Sequence, residues 1–349
     1  MELQYYSDKL ESLQEIFGAT SVHLRPGCLI VDGRSYPVVD DVIILLDPSQ
    51  YPQYLKGRFG GTSNKVTAEL KGFAEDIQFH YGECWKQYAR ILPEHEREFR
   101  EYFDIVDPEE LHDLRVCDLG CGMGRWSFIL QNKCKCRELI LVDFSEGIFV
   151  ARDLLKEYRN AFFFMGDLTR LPFRENFTDF LFCLGVLHHL PLNALDQVRR
   201  LRKYSKNLLI YLYYALDNRP FYFRALLALV TPVRLALSRI RNPVFRNLFC
   251  WFAVFFIHMP CIWLGAMARP LGLSRHVPLY EDYHWVSLEG LHHHVYDRFF
   301  TGIEQRFTRA QIMALRDTYD KVIVSENPGY WHFLCVDERS AAECSGRGV

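Results

Sequence analysis

From Leu114 onward, short runs of apolar residues alternate with segments in which apolar and polar residues mix at helical spacing. The runs predict strands and the mixed segments predict helices. Strands separated by helices are typical of a parallel sheet covered on both faces, so this region predicts a doubly wound α/β fold. The predicted strands are 116–119, 139–142, 162–165, 180–184 and 207–214, and the predicted helices are 126–131, 146–158 and 193–203.

The chain before this region predicts two further units. Apolar runs at 28–31 and 35–39 flank Asp32-Gly33-Arg34, a pattern typical of strand, tight turn and strand. With a third apolar run at 42–46, they predict a small β-rich accessory domain over residues 1–60. Residues 64–105 mix apolar and charged positions at helical spacing and predict a helical segment.

The alternation breaks after the fifth strand. Residues 216–300 predict a helical insertion, which divides the α/β core into a first part, 106–215, and a C-terminal part, 301–340. The C-terminal part predicts a helix at 308–319 and strands at 321–325 and 330–337, which are joined by the turn Asn327-Pro328-Gly329.

The first strand of the core runs into Gly120-Cys121-Gly122-Met123-Gly124 and then into a helix. Glycines at such a turn let the chain reverse tightly and let a ligand approach the main chain. A dinucleotide-binding loop would place a glycine at position 125, where this chain has arginine. The loop therefore favours a ligand that has no pyrophosphate.

Two aspartates end the next strands. Asp143 lies 23 residues after Gly120, a spacing that puts a carboxylate within reach of both hydroxyls of a ribose. Asp167 follows Gly166 at the end of the third strand, where it could accept a hydrogen bond from an adenine amino group. Taken alone, each aspartate would more often be a helix N-cap than a ligand-binding residue.

These elements, in this order, resemble the class I S-adenosylmethionine (SAM) dependent methyltransferases. The resemblance covers about 110–215 and 305–338, and it implies a Rossmann-like, doubly wound, seven-stranded sheet that ends in an antiparallel strand pair at 321–337. The residues that carry it are Asp118-Leu119-Gly120-Cys121-Gly122-Met123-Gly124, Asp143, Gly166-Asp167, Leu171-Pro172-Phe173, Asp179-Phe180 and Gly185-Val186-Leu187-His188-His189-Leu190.

The resemblance also implies SAM as the cofactor and assigns positions to it. The backbone of Gly120–Gly124 would lie against the methionine part, Asp143 would hold the ribose, and Asp167 with Leu168 would frame the adenine. Gly185 would flank the transferred methyl group. The implied cofactor-binding set is Asp118, Gly120, Cys121, Gly122, Asp143, Phe144, Gly166, Asp167, Leu168, Gly185, Gln78 and Tyr81.

Two flanking segments extend the resemblance. Gln78–Trp85 is similar to an aromatic-Gly-x-x-Trp segment that closes over the cofactor in one methyltransferase subgroup, which makes 64–105 a cofactor-covering segment. Residues 24–46 resemble, in a degenerate form, the small zinc-ribbon-like domain that accompanies some methyltransferases. Because only Cys28 remains of its metal cysteines, we expect that fold without a metal.

Histidines supply the candidate catalytic groups. His188 and His189 follow the fourth strand at the edge where ligands bind in such sheets, and a histidine can act as a general base near neutral pH. The alternative is that one of them packs or bonds a backbone carbonyl. A second cluster, His292-His293-His294, predicts a solvated or substrate-facing loop, since consecutive histidines on a strand would point to opposite faces and hold no common metal.

The formal net charge of −2 conceals a segregation of charge. Residues 218–280 hold eight arginines, no lysine and no acidic residue, so the rest of the chain has 33 basic against 43 acidic residues. Within this segment, 247–268 is 22 residues without a charge, which reaches the length of a membrane span. His258 and Pro260 interrupt it, no second span is expected, and a span would separate strands of one sheet.

The insertion therefore predicts a basic, apolar lid over the substrate. Peripheral membrane contact through 219–275 is one alternative, and a cap whose apolar face is merely core is the other. Hydrophobic residues at 49% and charged residues at 24% exclude a disordered or multi-span protein. The start of the chain shows no signal peptide, which predicts reduced thiols and a cytoplasmic location, peripheral on the inner membrane surface if the lid touches lipid.

The expected function is transfer of a methyl group from SAM, by in-line displacement, to a small-molecule or lipid- or glycan-linked acceptor. A DNA partner is not expected, and an RNA partner is disfavoured because no basic groove is visible outside the insertion. Two alternatives stay open: a non-catalytic SAM-binding regulatory or scaffold subunit, and an RNA methyltransferase.

Overall fold

The computed structural model describes residues 4–59, 68–326 and 331–338. Within these ranges, eleven strands form one sheet in the order β1-β2-β3-β4-β7-β6-β5-β8-β9-β11-β10. The strands are β1 (Val22–Arg25), β2 (Cys28–Val31), β3 (Arg34–Val39), β4 (Val42–Ile44), β5 (Arg115–Leu119), β6 (Glu138–Asp143), β7 (Ala161–Met165), β8 (Phe180–Leu184), β9 (Asn207–Leu212), β10 (Lys321–Val324) and β11 (Trp331–Val336).

Helices cover both faces of the sheet and form the insertion. A π-helical segment, Val254–His258, joins two of them. The α-helices are α1 (Leu10–Phe17), α2 (Gln53–Phe59), α3 (Ala68–Gln87), α4 (Pro93–Tyr102), α5 (Arg125–Cys134), α6 (Gly147–Leu155), α7 (Ala194–Leu201), α8 (Phe221–Ser238), α9 (Pro243–Ala253), α10 (Met259–Ala268), α11 (Tyr280–Tyr283), α12 (Leu288–Phe300) and α13 (Arg309–Met313).

The seven strands from β7 to β10 in this order form the predicted doubly wound sheet. Strands β7, β6, β5, β8 and β9 pair in parallel. Strand β11 then pairs antiparallel with both β9 and β10. Every residue of β5 to β8 is buried, which explains why these strands are continuous apolar runs in the sequence. The mixed α/β, Rossmann-like fold is thus confirmed, while the turn at 327–329 lies outside the described residues.

The N-terminal strands correct the expectation of a separate small β domain. Strand β4 pairs in parallel with β7, so the antiparallel β1–β4 unit extends the main sheet instead of standing beside it. All three residues of β4 are buried, because both of its neighbours and the covering layers belong to one core. In the described part of the chain, no three His, Cys, Asp or Glu side chains come together as a metal site would require.

The insertion folds around α12, against which both α8 and α9 pack. It has a hydrophobic core of its own, built from α9, α12 and the end of α3. Two expectations are wrong here. The histidines 292–294 lie on a helix and not on a loop, and the helix from Pro243 to Leu271 continues through His258 and Pro260. The π-helical turn and the position of Pro260 in the first turn of α10 accommodate the proline.

A second correction concerns the number of apolar helices. Two helices, Phe221–Ser238 and Pro243–Leu271, are long and apolar enough to cross a membrane by length and composition, where one such segment was expected. The helix Phe221–Ser238 was not predicted as such a segment because Arg224 and Arg234 interrupt its apolar residues in the sequence.

Candidate active site

A cavity of about 640 Å³ lies at the edge of the sheet where the parallel strands end. The loops after β5, β6, β7 and β8 form its floor, and α3 and α12 form its roof. Ligands bind at this edge in doubly wound sheets, because side chains and backbone amides from several strands converge there. The floor comprises Gly120, Cys121, Asp143, Phe144, Gly166, Asp167, Leu168, Leu184 and Gly185, and the roof comprises Ile77, Tyr81, Trp85, His293, His294, Asp297 and Arg298.

The loop after β5 can hold only glycine at two points. Gly120 has a φ of +83° and a side chain there would clash with Val186. Gly122 has a φ of +54°, and a Cβ there would lie 2.5 Å from Cε2 of Trp85. These are conformations that glycine adopts at little cost, and they let the main chain line the cavity directly.

Asp143 organises the end of β6. One carboxylate oxygen accepts hydrogen bonds from the backbone amide and hydroxyl of Ser145, at 2.7 and 2.6 Å, and the other accepts from the amide of Gly122 at 2.8 Å. Burial raises the pKa of Asp143, and these hydrogen bonds oppose the rise. The oxygen that accepts from Gly122 has a further lone pair for a ligand hydroxyl.

Asp167 has a similar place at the end of β7. Its carboxylate accepts hydrogen bonds from the amide and hydroxyl of Thr169, and from the side-chain amide of Gln50 at 2.9 Å. Burial alone would raise the pKa of Asp167, but the hydrogen bonds from Thr169 and Gln50 lower it overall. Asp167 is therefore ionised and fixed at the far end of the cavity floor from His189.

Helix α3 closes the cavity from above. Gln78 does not line the cavity, but its side-chain amide donates to the carbonyl oxygen of Gln50 at 2.8 Å and so ties α3 to the N-terminal unit. Tyr81 and Trp85, three and seven residues further on, lie on the face that lines the cavity. The spacing of one and two helical turns explains why all three residues point toward the core.

A polar cluster lies under α12 at the other end of the cavity. His189 Nδ1 lies 2.8 Å from the carbonyl oxygen of Ile303. Because a carbonyl only accepts, Nδ1 carries the proton and Nε2 keeps the lone pair. Burial lowers the pKa of His189, while the Asp297 carboxylate and the Ile303 carbonyl oppose that shift. Tyr213 donates to Asp297 at 3.2 Å.

His188 has a different environment from its neighbour. Its side chain is fully buried, it stacks on Tyr213 with ring centroids 3.9 Å apart, and it does not line the cavity. Burial lowers the pKa of His188 well below its usual value. The prediction of His188 as a catalytic base is therefore corrected: it is a neutral core histidine, since β8 ends in a turn that directs only His189 to the cavity.

The centre of this sheet is similar to a known family of domains. Residues 116–205, about a quarter of the chain, match the family model described as "Methyltransferase domain". An uncharacterized protein of Methanocaldococcus jannaschii is 32% identical to this chain over 103 residues. That alignment covers 29% of this chain and 42% of the archaeal protein, so the chain spans less than half of the relative it matches.

Two solved structures are similar to this chain at lower sequence identity. A SAM-dependent methyltransferase from Mesorhizobium loti is 19% identical over 35% of this chain and 56% of its own, with a TM-score of 0.31. Magnesium protoporphyrin IX methyltransferase from Synechocystis PCC 6803, solved with bound SAM, is 20% identical over 49% of this chain and 78% of its own, with a TM-score of 0.29.

The family model that matches is that of a methyltransferase domain, and the cavity at these strand ends presents groups that suit SAM as a cofactor. Two carboxylates, Asp143 and Asp167, end adjacent strands and offer acceptors for ribose hydroxyls and an adenine amino group. Because Gly120 has no side chain, its main chain is accessible in the cavity between these two carboxylates and the polar cluster around His189. The glycine loop carries no basic side chain before Arg125. This suits a ligand that has no pyrophosphate to neutralise.

Most of the predicted cofactor residues come together in the cavity, and three do not. Gln78 acts through Gln50, and Gly122 packs beneath Trp85. Asp118 is buried behind the loop, where it accepts a hydrogen bond from Ser127 at 2.7 Å, and burial raises its pKa to about 7. The residues that line the cavity as predicted are Gly120, Cys121, Asp143, Phe144, Gly166, Asp167, Leu168, Gly185, Tyr81 and the candidate base His189.

The structure adds Asp297 and Arg298, which sequence reasoning missed, and it places His293 and His294, predicted as solvated or substrate-facing, in the lining as well. These four residues lie on about one and a half turns of α12. A helical interpretation of 288–300 would have put them on a common face, but a loop was expected there. The aromatic residues Tyr280, Tyr283 and Tyr296 of this region are buried packing residues outside the lining.

Proposed function

We propose that this chain is a methyltransferase that transfers the methyl group of SAM to a small-molecule or lipid- or glycan-linked acceptor by in-line displacement. The observation that carries the proposal is the division of one cavity into two chemical halves. The strand ends supply carboxylates and bare backbone for the cofactor, and the His189–Asp297 end supplies groups that can handle an acceptor.

In this proposal SAM supplies an electrophilic methyl group, and the protein aligns a nucleophile with it and excludes water. His189 accepts the acceptor's proton at Nε2, because its Nδ1 proton is held by Ile303. The adjacent Asp297 carboxylate stabilises the imidazolium that forms, and Tyr213 holds Asp297 in place. Asp143 and Asp167 would hold SAM at the strand ends, and SAM would supply the methyl group that the acceptor takes.

The surroundings of this end support an acceptor that carries both polar and apolar parts. Asp297 and Arg298 present opposite charges at the cavity wall, while Tyr211, Tyr213 and Trp126 offer aromatic faces. Aromatic walls with a few placed polar groups are typical of small-molecule sites. A glycan or an amphiphile that combines ring or chain surface with hydroxyls matches this lining.

The test is transfer of a labelled methyl group to fractionated extracts. The purified full chain and its His189→Gln variant are incubated with labelled SAM and with organic-phase or aqueous-phase metabolites. We expect label in one fraction with the unmodified chain and at least a hundredfold less with the variant. SAM binding without transfer to any fraction would instead favour the non-catalytic, regulatory alternative.

A further inference from the structure

Two helices of the insertion are apolar and yet largely outside the core. In α8 only one of 18 residues is buried, and in the longer helix Pro243–Leu271 only six of 29 are. Most of the large exposed hydrophobic side chains of the described residues lie in this part of the chain. We call the following set the docking face: Phe221, Leu226, Leu229, Val230, Val233, Leu235, Val244, Phe245, Leu248, Phe252, Phe255, Phe256, Trp263, Leu264, Met267 and Leu271.

The longer helix is apolar around its whole circumference. Its inner side packs on α12 through buried Cys250, Ala253 and Val254. Its outer side bears Phe256 at 69% exposure and Met267 at 76% exposure. A helix that is apolar all round belongs inside a protein or inside a lipid phase, and an exposed apolar surface of this extent marks an interaction site.

Charge around the docking face points to the chemistry of its occupant. Of the eight arginines in 218–280, Arg219, Arg234 and Arg246 are turned inward, and they bond Asp282, the carbonyl of Thr301 and the Tyr296 hydroxyl respectively. The other five are exposed and lie near the helix ends, and no acidic residue accompanies them in the segment. These five are Arg224, Arg239, Arg241, Arg269 and Arg275.

An apolar surface rimmed by arginine complements an anionic bilayer better than it complements a second copy of itself. In a twofold dimer the same patch faces itself, so arginines of an acid-free segment would approach arginines. Acyl chains accept the exposed aromatic and aliphatic side chains, and anionic headgroups accept the guanidinium groups at the helix ends.

We propose that the docking face binds the surface of an anionic lipid bilayer, with α8 and the helix Pro243–Leu271 lying in the plane of the membrane. The orientation follows from packing, since α8 and α9 pack on α12 and α10 packs on α11, and spanning the bilayer would break these contacts. The longer helix would extend over about 43 Å of the interface.

This placement deepens the proposed function and rests on it in one respect. Helix α12 carries the insertion's helices on one side, while His293, Asp297 and Arg298 on the same helix line the active-site cavity. A bilayer on the docking face would therefore lie one helix layer from the acceptor end of the cavity. A lipid-linked acceptor would reach that end without leaving the membrane surface.

The test is flotation of the full chain with vesicles of phosphatidylcholine alone or with added phosphatidylglycerol, at low and high salt. We expect flotation with the anionic vesicles at low salt and weaker flotation at high salt. The double variant Phe252→Ser, Phe256→Ser should lower the partition coefficient about tenfold or more, since two aromatic side chains leave the interface. Arg269→Glu with Arg275→Glu should lower it through charge.

Matched controls lie outside the docking face. Tyr54→Ser with Phe59→Ser removes two exposed aromatic residues, and Arg100→Glu with Arg200→Glu reverses two exposed arginines. Both control variants should float like the unmodified chain. Calorimetry with SAM on each preparation reports whether the cofactor site is intact, so a failure of the docking proposal is distinguished from a failure of the proposed function.

A direct readout uses Trp263, which is 63% exposed on the docking face. Brominated acyl chains should quench part of the tryptophan fluorescence, and Trp263→Phe should remove most of that quenching. Absence of flotation and quenching with anionic vesicles would overturn the proposal, as would flotation equal in the docking-face and control variants. A dimer that Phe252→Ser, Phe256→Ser dissociates, without vesicle binding, would assign the face to a second copy.

Discussion

Strand β8 and helix α9 are both rich in aromatic and aliphatic residues, but the protein uses them in opposite ways. All five residues of β8 are buried, and Phe182 packs edge to face on Phe103 with ring centroids 5.6 Å apart. In α9 only Arg246, Cys250 and Ala253 are buried. Phe249 and Trp251 pack partly against the core of the insertion, while Phe245 and Phe252 are exposed to solvent. Apolar composition alone therefore does not identify the core.

This difference in burial indicates which property each segment serves. Residues of β8 stabilise the fold, and the turn after it delivers His189 to the cavity. The exposed residues of α9 contribute little to the free energy of folding, because their apolar surface stays in contact with water in the folded chain. Such a surface is free to bind another molecule. Substitutions in the two regions should therefore separate chemistry, stability and surface binding.

The largest effect is expected at the turn that follows β8. His189→Gln should lower kcat about 10²- to 10⁴-fold because it removes the proposed base. SAM affinity should stay within about twofold, because the Asp143 and Asp167 carboxylates are untouched. Steady-state kinetics and calorimetry on the same preparation measure both values. His23→Gln, an exposed histidine on β1, is the control, and an equal loss of kcat there would refute the assignment.

The next effect contrasts stability in the two regions. Phe182→Ala should lower the free energy of unfolding by about 3–5 kcal/mol, since it leaves a cavity in the core. Phe256→Ala should change it by no more than about 0.5 kcal/mol, since that ring is mostly in solvent. Urea denaturation followed by circular dichroism compares the two. Similar losses would mean that the outer side of the insertion is part of the folding core.

A smaller effect tests the glycine loop. Gly122→Ala should cost about 1–3 kcal/mol of stability and weaken SAM binding, since a methyl group meets Trp85 at a left-handed backbone position. Gly27→Ala is the matched control, because Gly27 has a φ of +74° but nothing within 4 Å of an added Cβ. Thermal unfolding should show the larger loss for Gly122→Ala, and equal losses would deny the close approach of Trp85.

The smallest effect concerns pH. Burial lowers the pKa of His189 below the ordinary value of 6.5, so the ring stays neutral, and able to accept a proton, at pH 6.5. The rate should therefore change less than about twofold between about pH 8 and pH 6.5, whereas an ordinary histidine would already be half protonated. A pH–kcat profile measures this. An apparent pKa above 6.5 that vanishes in His189→Gln would contradict the direction of the shift.

The core of the fold and the cofactor side of the site follow from local sequence patterns. Fully buried strands appear as continuous apolar runs, and Gly120, Asp143 and Asp167 stand at strand ends that a doubly wound sheet brings together. Short-range rules suffice at these positions because each residue's role is set by the strand that precedes it.

The remaining features depend on contacts between distant segments. Nothing local to Val42–Ile44 shows that they pair with β7, more than 110 residues away. The local sequence of Asp297 likewise gives no sign that it faces His189, because that depends on how α12 packs over β8 and β9. His188 and His189 are adjacent and identical in type, but the turn after β8 directs one side chain into the core and the other into the cavity. Their sequence alone cannot distinguish the two positions.

The central claim, a SAM site at the strand ends, is tested most directly by calorimetric titration of the full chain with SAM. The account predicts saturable binding at one site per chain. It also predicts binding about a hundredfold weaker in Asp143→Ala, which loses charged hydrogen bonds to the ligand, and unchanged in Asp153→Ala, an exposed aspartate on α6. Absence of binding, or affinity that Asp143→Ala leaves unchanged, would contradict it.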